Sequence, residues 1–174
     1  HRELRAWRGA GETPRCVTVA ADNRACVWNA RTGLFQRTID LGGRSIVALD
    51  EASRTLYAVS DGRSVEGTPA IAFPLDGGSP TPLWDRIDRV SAILPLSSGR
   101  LAVGLRDGQV YFWSPDSGRE ISVRSSGRPH WRAITAMAYH APSDRLYTAD
   151  AGGLIAAWSL SSEAAPIERL SGGE

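Results

Sequence analysis

The 174-residue chain carries 20 basic and 19 acidic side chains, a formal charge of +1, so no global basic field of the kind that attracts nucleic acid surrounds it. At 42% hydrophobic and 22% charged, with 18 Gly and 10 Pro, its composition is that of a soluble globular protein rich in turns and excludes the disordered and collagenous classes. No run approaches the roughly 20 apolar residues of a membrane-spanning helix, and the segment His1 to Arg8 lacks the apolar centre of a signal peptide. The expected compartment is therefore the cytoplasm, with the nucleus left open.

In chain order, the first apolar segment, Leu4 to Trp7, is a weak strand candidate. It precedes the window Arg15 to Trp28 (RCVTVAADNRACVW), which aligns without gaps with Arg100 to Trp113 (RLAVGLRDGQVYFW) and Arg145 to Trp158 (RLYTADAGGLIAAW). A further copy starts at Arg54 (RTLYAVSDGR). There a polar insertion, Arg63 to Pro69, delays the second apolar run, so that Phe73 takes the place held elsewhere by Trp. The aromatics at 28, 73, 113 and 158 are 45, 40 and 45 residues apart, the period of a propeller blade.

Each copy reads as a hairpin. An apolar run with β-branched residues reaches Asp22-Asn23, Asp61-Gly62, Asp107-Gly108 or Gly152-Gly153, and a second apolar run ends in the aromatic. These runs are strands b and c. Five residues past the aromatic stands Gly33, Gly78 or Gly118, the next turn, after which a segment such as Phe35 to Leu41 forms an outer strand d. Ile46 to Leu49, Val90 to Leu96 and Ile134 to Tyr139 precede the hairpins as innermost a strands. No segment keeps a 3.6-residue apolar period over a useful helix length, so the chain is predicted to be nearly all β.

The repeat resembles the WD40 family, through the Asp-to-Trp hairpin, the Gly that follows it, and a His near the repeat start at His1 and His130. The resemblance covers essentially the whole chain. It implies an all-β fold, a β-propeller of four WD40-like four-stranded blades at about 1–43, 44–88, 89–130 and 131–174, in one segment. It also implies structural positions at His1, Asp22, Trp28, Asp61, Phe73, Asp107, Trp113, His130 and Trp158. In the family a His, a Ser or Thr, an Asp and a Trp form a hydrogen-bond network within each blade. Here no blade is expected to hold it intact, because the fourth has Gly152 at the Asp position and Asp150 two residues early. The Trp-Asp dipeptide is also missing: Asn29, Ser114 and Ser159 follow the three Trp residues.

Blades bury their faces only against other blades. WD40 relatives usually have about seven, and the end of the chain, Leu170 to Glu174, mimics Leu41 to Arg44 at a repeat entry. The expectation is part of a larger propeller, with further blades from the parent chain or a partner. A closed four-bladed ring is the lesser alternative.

Motifs for chemistry are missing. All 20 basic residues are Arg, so no phosphate-binding loop ending in Gly-Lys-Ser/Thr exists, and neither a Gly-x-Ser-x-Gly elbow nor a His-Glu-x-x-His occurs. The three His residues, 1, 130 and 140, are too scattered for a metal site. Cys16 and Cys26 are expected as small buried apolar residues, with a cross-strand disulfide the minor reading. No enzyme activity, cofactor or metal is predicted.

What remains is surface. Arg44, Arg89 and Arg132 recur just before the a strands at separations of 45 and 43 and are expected to project from adjacent blades. Arg24, Arg63 and Arg106 stand in or beside the b-to-c turns of the same rim, and Trp131 adds an exposed aromatic. Arg15, Arg54, Arg100 and Arg145 begin the b strands on the opposite side and read as framework. The rim set suits an acidic or phosphorylated peptide through bidentate charge-assisted hydrogen bonds, although solvated Arg is common in a chain with so many. The leading expectation is a non-catalytic protein-interaction scaffold or adaptor. The alternatives are a propeller enzyme or small-ligand sensor with a central-channel site, and an RNA-binding propeller.

Overall fold

In the computed structural model the described residues are 3–7, 14–60, 70–84, 89–114, 120–122, 129–160 and 166–170. Sixteen strands are described, and they form four separate four-stranded antiparallel sheets, each a meander of consecutive strands. Sheet 1 holds β1 (Glu3–Trp7), β2 (Arg15–Val19), β3 (Arg24–Asn29) and β4 (Phe35–Asp40). Sheet 2 holds β5 (Ile46–Asp50), β6 (Thr55–Val59), β7 (Ala70–Pro74) and β8 (Thr81–Pro82). Sheet 3 holds β9 (Val90–Pro95), β10 (Leu101–Leu105), β11 (Val110–Trp113) and β12 (Glu120–Ser122). Sheet 4 holds β13 (Ile134–His140), β14 (Arg145–Asp150), β15 (Ile155–Ser159) and β16 (Pro166–Leu170). Two 3-10 turns, Ser97–Gly99 and Ala141–Ser143, link the first and second strands of sheets 3 and 4.

The sheets therefore coincide with the four sequence repeats, and all four expected a strands are present. Register makes the repeat exact at its aromatic: Cys16 pairs Trp28, Leu56 pairs Phe73, Leu101 pairs Trp113 and Leu146 pairs Trp158. Phe73 thus occupies the Trp position despite the insertion before it. The hairpin turns behave as their residues require. Asn23, Gly108 and Gly153 all take positive φ, which Gly and Asn tolerate. The Asp22 and Asp107 carboxylates accept the backbone N–H of Arg24 at 3.2 Å and Gln109 at 3.1 Å, so both serve the turn. Asp61, Arg63, Gly118 and His1 lie outside the described residues.

The chain divides into two compact units, His1–Arg86 and Ile87–Glu174. In the first, Val17, Val19, Ala25, Val27 and Ile39 of sheet 1 pack with Leu56, Ala58 and Phe73 of sheet 2. Alternate residues along each strand carry this, as the two-residue period of a strand demands. Asp76 ties the same two sheets together at the strand-b starts, bonding Arg15 at 2.6 Å and Arg54 at 2.9 Å. Two of the four framework Arg residues are thereby accounted for. In the second unit Ala102, Val110 and Phe112 of sheet 3 pack with Ile134, Leu146, Ala156 and Trp158 of sheet 4.

The cysteines differ from expectation. Both are free and half-buried. Cys26 stands opposite Thr18 and Cys16 opposite Trp28, so the two thiols are not cross-strand partners.

Candidate interaction surface on the second unit

A connected set of buried polar side chains lies in sheet 4, where His130 enters from the connection before β13. Its Nδ1 is 3.0 Å from Asp150 Oδ2 and its Nε2 is 2.7 Å from Thr148 Oγ1, while Trp158 Nε1 donates to the same Thr148 oxygen at 2.8 Å. A carboxylate only accepts, so the His130 Nδ1 carries the proton in this bond. In the neutral ring Nε2 then accepts from the Thr148 hydroxyl, whose oxygen accepts from the indole, and every polar atom of the chain of bonds is satisfied. His130 has 0% exposure and Thr148 1%.

In sheet 4 a His, a Thr, an Asp and a Trp are thus joined in one set of hydrogen bonds, where no repeat was expected to hold such a network intact. Asp150 replaces the missing turn Asp of residue 152 because it ends β14 with its carboxylate at the turn. Its other oxygen accepts the N–H of Gly152 at 2.8 Å and of Leu154 at 3.1 Å. Burial pushes the Asp150 carboxyl up, but the Gly152 amide, His130 and the Leu154 amide outweigh it and hold the group below the usual carboxylate range. The residue missed in sequence was Thr148. Its signal was its spacing, ten residues before Trp158, which Thr18 repeats before Trp28; there too the indole donates to the threonine, at 3.0 Å.

This network anchors the residue before an exposed pair. Trp131 is 72% exposed and Arg132 is also exposed. The segment leans on the β10–β11 turn so closely that a Cβ on Gly108 would stand 2.6 Å from the His130 carbonyl oxygen and 3.0 Å from that of Arg132. Only glycine admits that approach, and its φ of +87 suits no other residue well. The same edge holds Arg106, whose N–H donates to the Arg89 carbonyl at 2.9 Å, and the Gly152–Gly153 turn, where Ala151 N–H donates to Ala133 O at 2.9 Å. Arg89, Arg106, Trp131 and Arg132 thus share one loop edge of this unit, all four side chains exposed.

On the first unit the expectation divides. Arg24 is exposed at the start of β3. Arg44 does not project: it is 3% exposed, and its guanidinium turns back to donate to Leu41 O at 2.9 Å and Gly42 O at 3.4 Å. Burial lowers its pKa from the usual guanidinium value. The loop Leu41 to Arg44 runs through two positive-φ glycines, Gly42 and Gly43, which leaves carbonyls unpaired by strand partners and in reach of this side chain. The structural positions Trp28, Phe73, Trp113 and Trp158 all lie in strands. His140 is exposed and bonds Ser143 at 2.7 Å.

Among the described residues, no three His, Cys, Asp or Glu side chains gather as a metal site would require, and no helix is long and apolar enough to cross a membrane. A shallow open cavity of about 220 Å³ in the first unit, lined by Arg37 to Asp40, Phe73, Pro74, Gly78 and Pro80, brings together one guanidinium and one carboxylate among apolar and amide groups.

No known family model matches the chain, and no curated protein matches it. Solved structures do. The computationally designed Ika8 protein superposes with a TM-score of 0.68 at 21% identity over 94% of this chain and 48% of that chain. The computationally designed Ika4 protein superposes with a TM-score of 0.63, also at 21% identity, over 86% of each chain. This chain spans about half the length of the Ika8 chain. At such identity the likeness is one of fold: repeated four-stranded antiparallel sheets.

Proposed function

We propose that the chain is a non-catalytic protein-interaction module, its four sheets WD40-like blades of a β-propeller, and that it binds an acidic or phosphorylated peptide segment at the loop edge of the second unit. The observation that carries this reading is the exposed Trp131 held between the locked His130 and the exposed Arg132, with Arg89 and Arg106 on the same edge. Trp and Arg are the side chains that most often dominate binding energy at protein surfaces. Rigid anchoring of the neighbouring residue lowers the ordering cost of a contact made there. Arg offers paired N–H donors for carboxylate or phosphate.

The test is fluorescence-anisotropy binding of acidic and phosphorylated peptide libraries to the 174-residue protein. Peptides that bind should lose about tenfold or more in affinity with Trp131→Ala or Arg132→Glu, the loss typical of a central interface residue. Arg24→Glu, on the other unit, should leave binding unchanged. If no acidic peptide binds, or if all three variants bind like the wild type, the reading is wrong.

A further inference from the structure

The turn between the second and third strands carries an exposed acid in sheets 1 and 3. Asp22 and Asp107 stand there, each bonded to an amide of its own turn. In sheet 4 the same turn is Ala151-Gly152-Gly153, exposed throughout, and the acid has moved inward to Asp150, which is 7% exposed. Both of its carboxylate oxygens are engaged: Oδ2 is 3.0 Å from His130 Nδ1, and Oδ1 accepts the amides of Gly152 and Leu154. The surface of this turn is therefore left without a carboxylate.

The space that a side chain at 152 would fill is taken by Arg132. A Cβ there would stand 3.2 Å from Arg132 Cδ and 3.5 Å from its Nε, so the arginine stem lies across the bare turn. The Arg132 side chain has no hydrogen-bond or ion-pair partner among the described residues, whereas Arg15 and Arg54 share Asp76, Arg37 donates to Pro74 O and Arg44 bonds its own loop. Its backbone is fixed on two sides, by the buried His130 before it and by Gly108, which abuts the Arg132 carbonyl. Exposed Arg106 and Arg89, joined through their backbones at 2.9 Å, lie on the same edge. By Coulomb's law such an edge favours a dianion over a monoanion, and the oxygens of one phosphate can accept from more than one guanidinium.

We infer that Arg132 is the centre of a site for a phosphate monoester, and that the glycine at 152 is its specificity-determining residue. An acid in the turn would pair with the guanidinium and repel the ligand; moving the acid to Asp150 keeps the His130 network and leaves Arg132 available. A phosphoryl group brings about two negative charges, where a carboxylate brings one. The inference deepens the reading of this edge as a peptide site and rests on that reading only for the source of the phosphate, a phosphorylated side chain rather than the free ion.

The experiment maps phenylglyoxal modification of Arg132 by mass spectrometry, with and without inorganic phosphate, in the wild type, Gly152→Asp and Gly152→Asn. Phosphate should slow modification of Arg132 in the wild type. Protection should be lost in Gly152→Asp and kept in the size-matched neutral Gly152→Asn, with circular dichroism spectra alike in all three. In a second arm, phosphoserine peptides should bind Gly152→Asp about tenfold or more weakly than the wild type, the effect of a like charge set against a ligand. The same peptides with Glu in place of phosphoserine should bind the wild type more weakly than their phosphorylated forms. No protection of Arg132 by phosphate in the wild type, equal protection in Gly152→Asp, or equal binding of the Glu peptides would each overturn the inference. Protection that follows residue 152 while no peptide binds would support the phosphate site and overturn the peptide reading, so the two fail separately.

Discussion

Thr148 is a small side chain with two obligations, and at 1% exposure it has no water to fall back on. Thr148→Val keeps the shape but orphans the Trp158 indole N–H and the His130 Nε2, both buried. Loss of about 2–4 kcal/mol of unfolding free energy is expected, read as a lower urea midpoint with an unchanged slope. Trp131 is the contrasting case. Its indole projects into solvent, so Trp131→Ala should shift stability by no more than about 0.5 kcal/mol in the same assay. Together the two variants separate the residue that holds the loop from the residue that the loop presents. The sequence singles out His130 and Trp158 and places Asp150 two residues early, but does not mark Thr148, and alignment alone puts the carboxylate's place at residue 152. A carboxylate at the end of a strand reaches the same space as one in the turn, and spacing alone does not reveal that.

At the level of elements, two glycines set how sheets 3 and 4 approach. A Cβ on Gly104, in β10, would stand 2.7 Å from both Cβ and Cγ2 of Ile134, the first residue of β13. Gly104→Ala should therefore force the two sheets apart and destabilise the protein by about 1–3 kcal/mol, the usual cost of overpacking, measured by chemical denaturation. Gly108→Ala would press on the His130 and Arg132 carbonyls instead. Its expected signature is local: faster amide exchange around residues 130–133 and weakened peptide binding, with β2 to β7 unaffected. The strands themselves were legible in advance, since alternating apolar residues bounded by Asp-Asn, Asp-Gly and Gly-Gly turns leave few other conformations. The packing partners of each face were not. Val17 and Cys16 are both apolar, and only the placement of sheet 2 decides that the valine is buried and the cysteine half-open.

For the whole molecule, each unit contains a carboxylate held below its ordinary pKa: Asp150 in the second, and Asp76 in the first, where the Arg54 hydrogen bond leads, with that of Arg15 also lowering it against a smaller desolvation effect. A carboxyl whose folded pKa is depressed contributes stability that is full above its unfolded pKa, near 4, and declines as pH falls from there toward the folded value. Thermal stability should thus be flat with respect to these groups above about pH 5 and drop below about pH 4. Asp76→Asn and Asp150→Asn should each flatten part of that acid-side slope; a slope unchanged in both variants would show that other groups govern it.

The sequence by itself determined the local structure: sixteen strands in four repeats, the turn chemistry, the aromatic at the end of each third strand, and the exclusion of familiar catalytic motifs. Those follow from interactions between residues a few positions apart, which composition and period record directly. Only the tertiary structure decided which face of each sheet is covered, that Arg44 folds back on its own loop while Arg132 stays exposed, that Asp76 clasps two strand-b arginines, and that Asp150 completes the His130 network. Each of these depends on where a second, distant segment comes to rest, and the burial it imposes is a property of the pair of segments that neither carries alone.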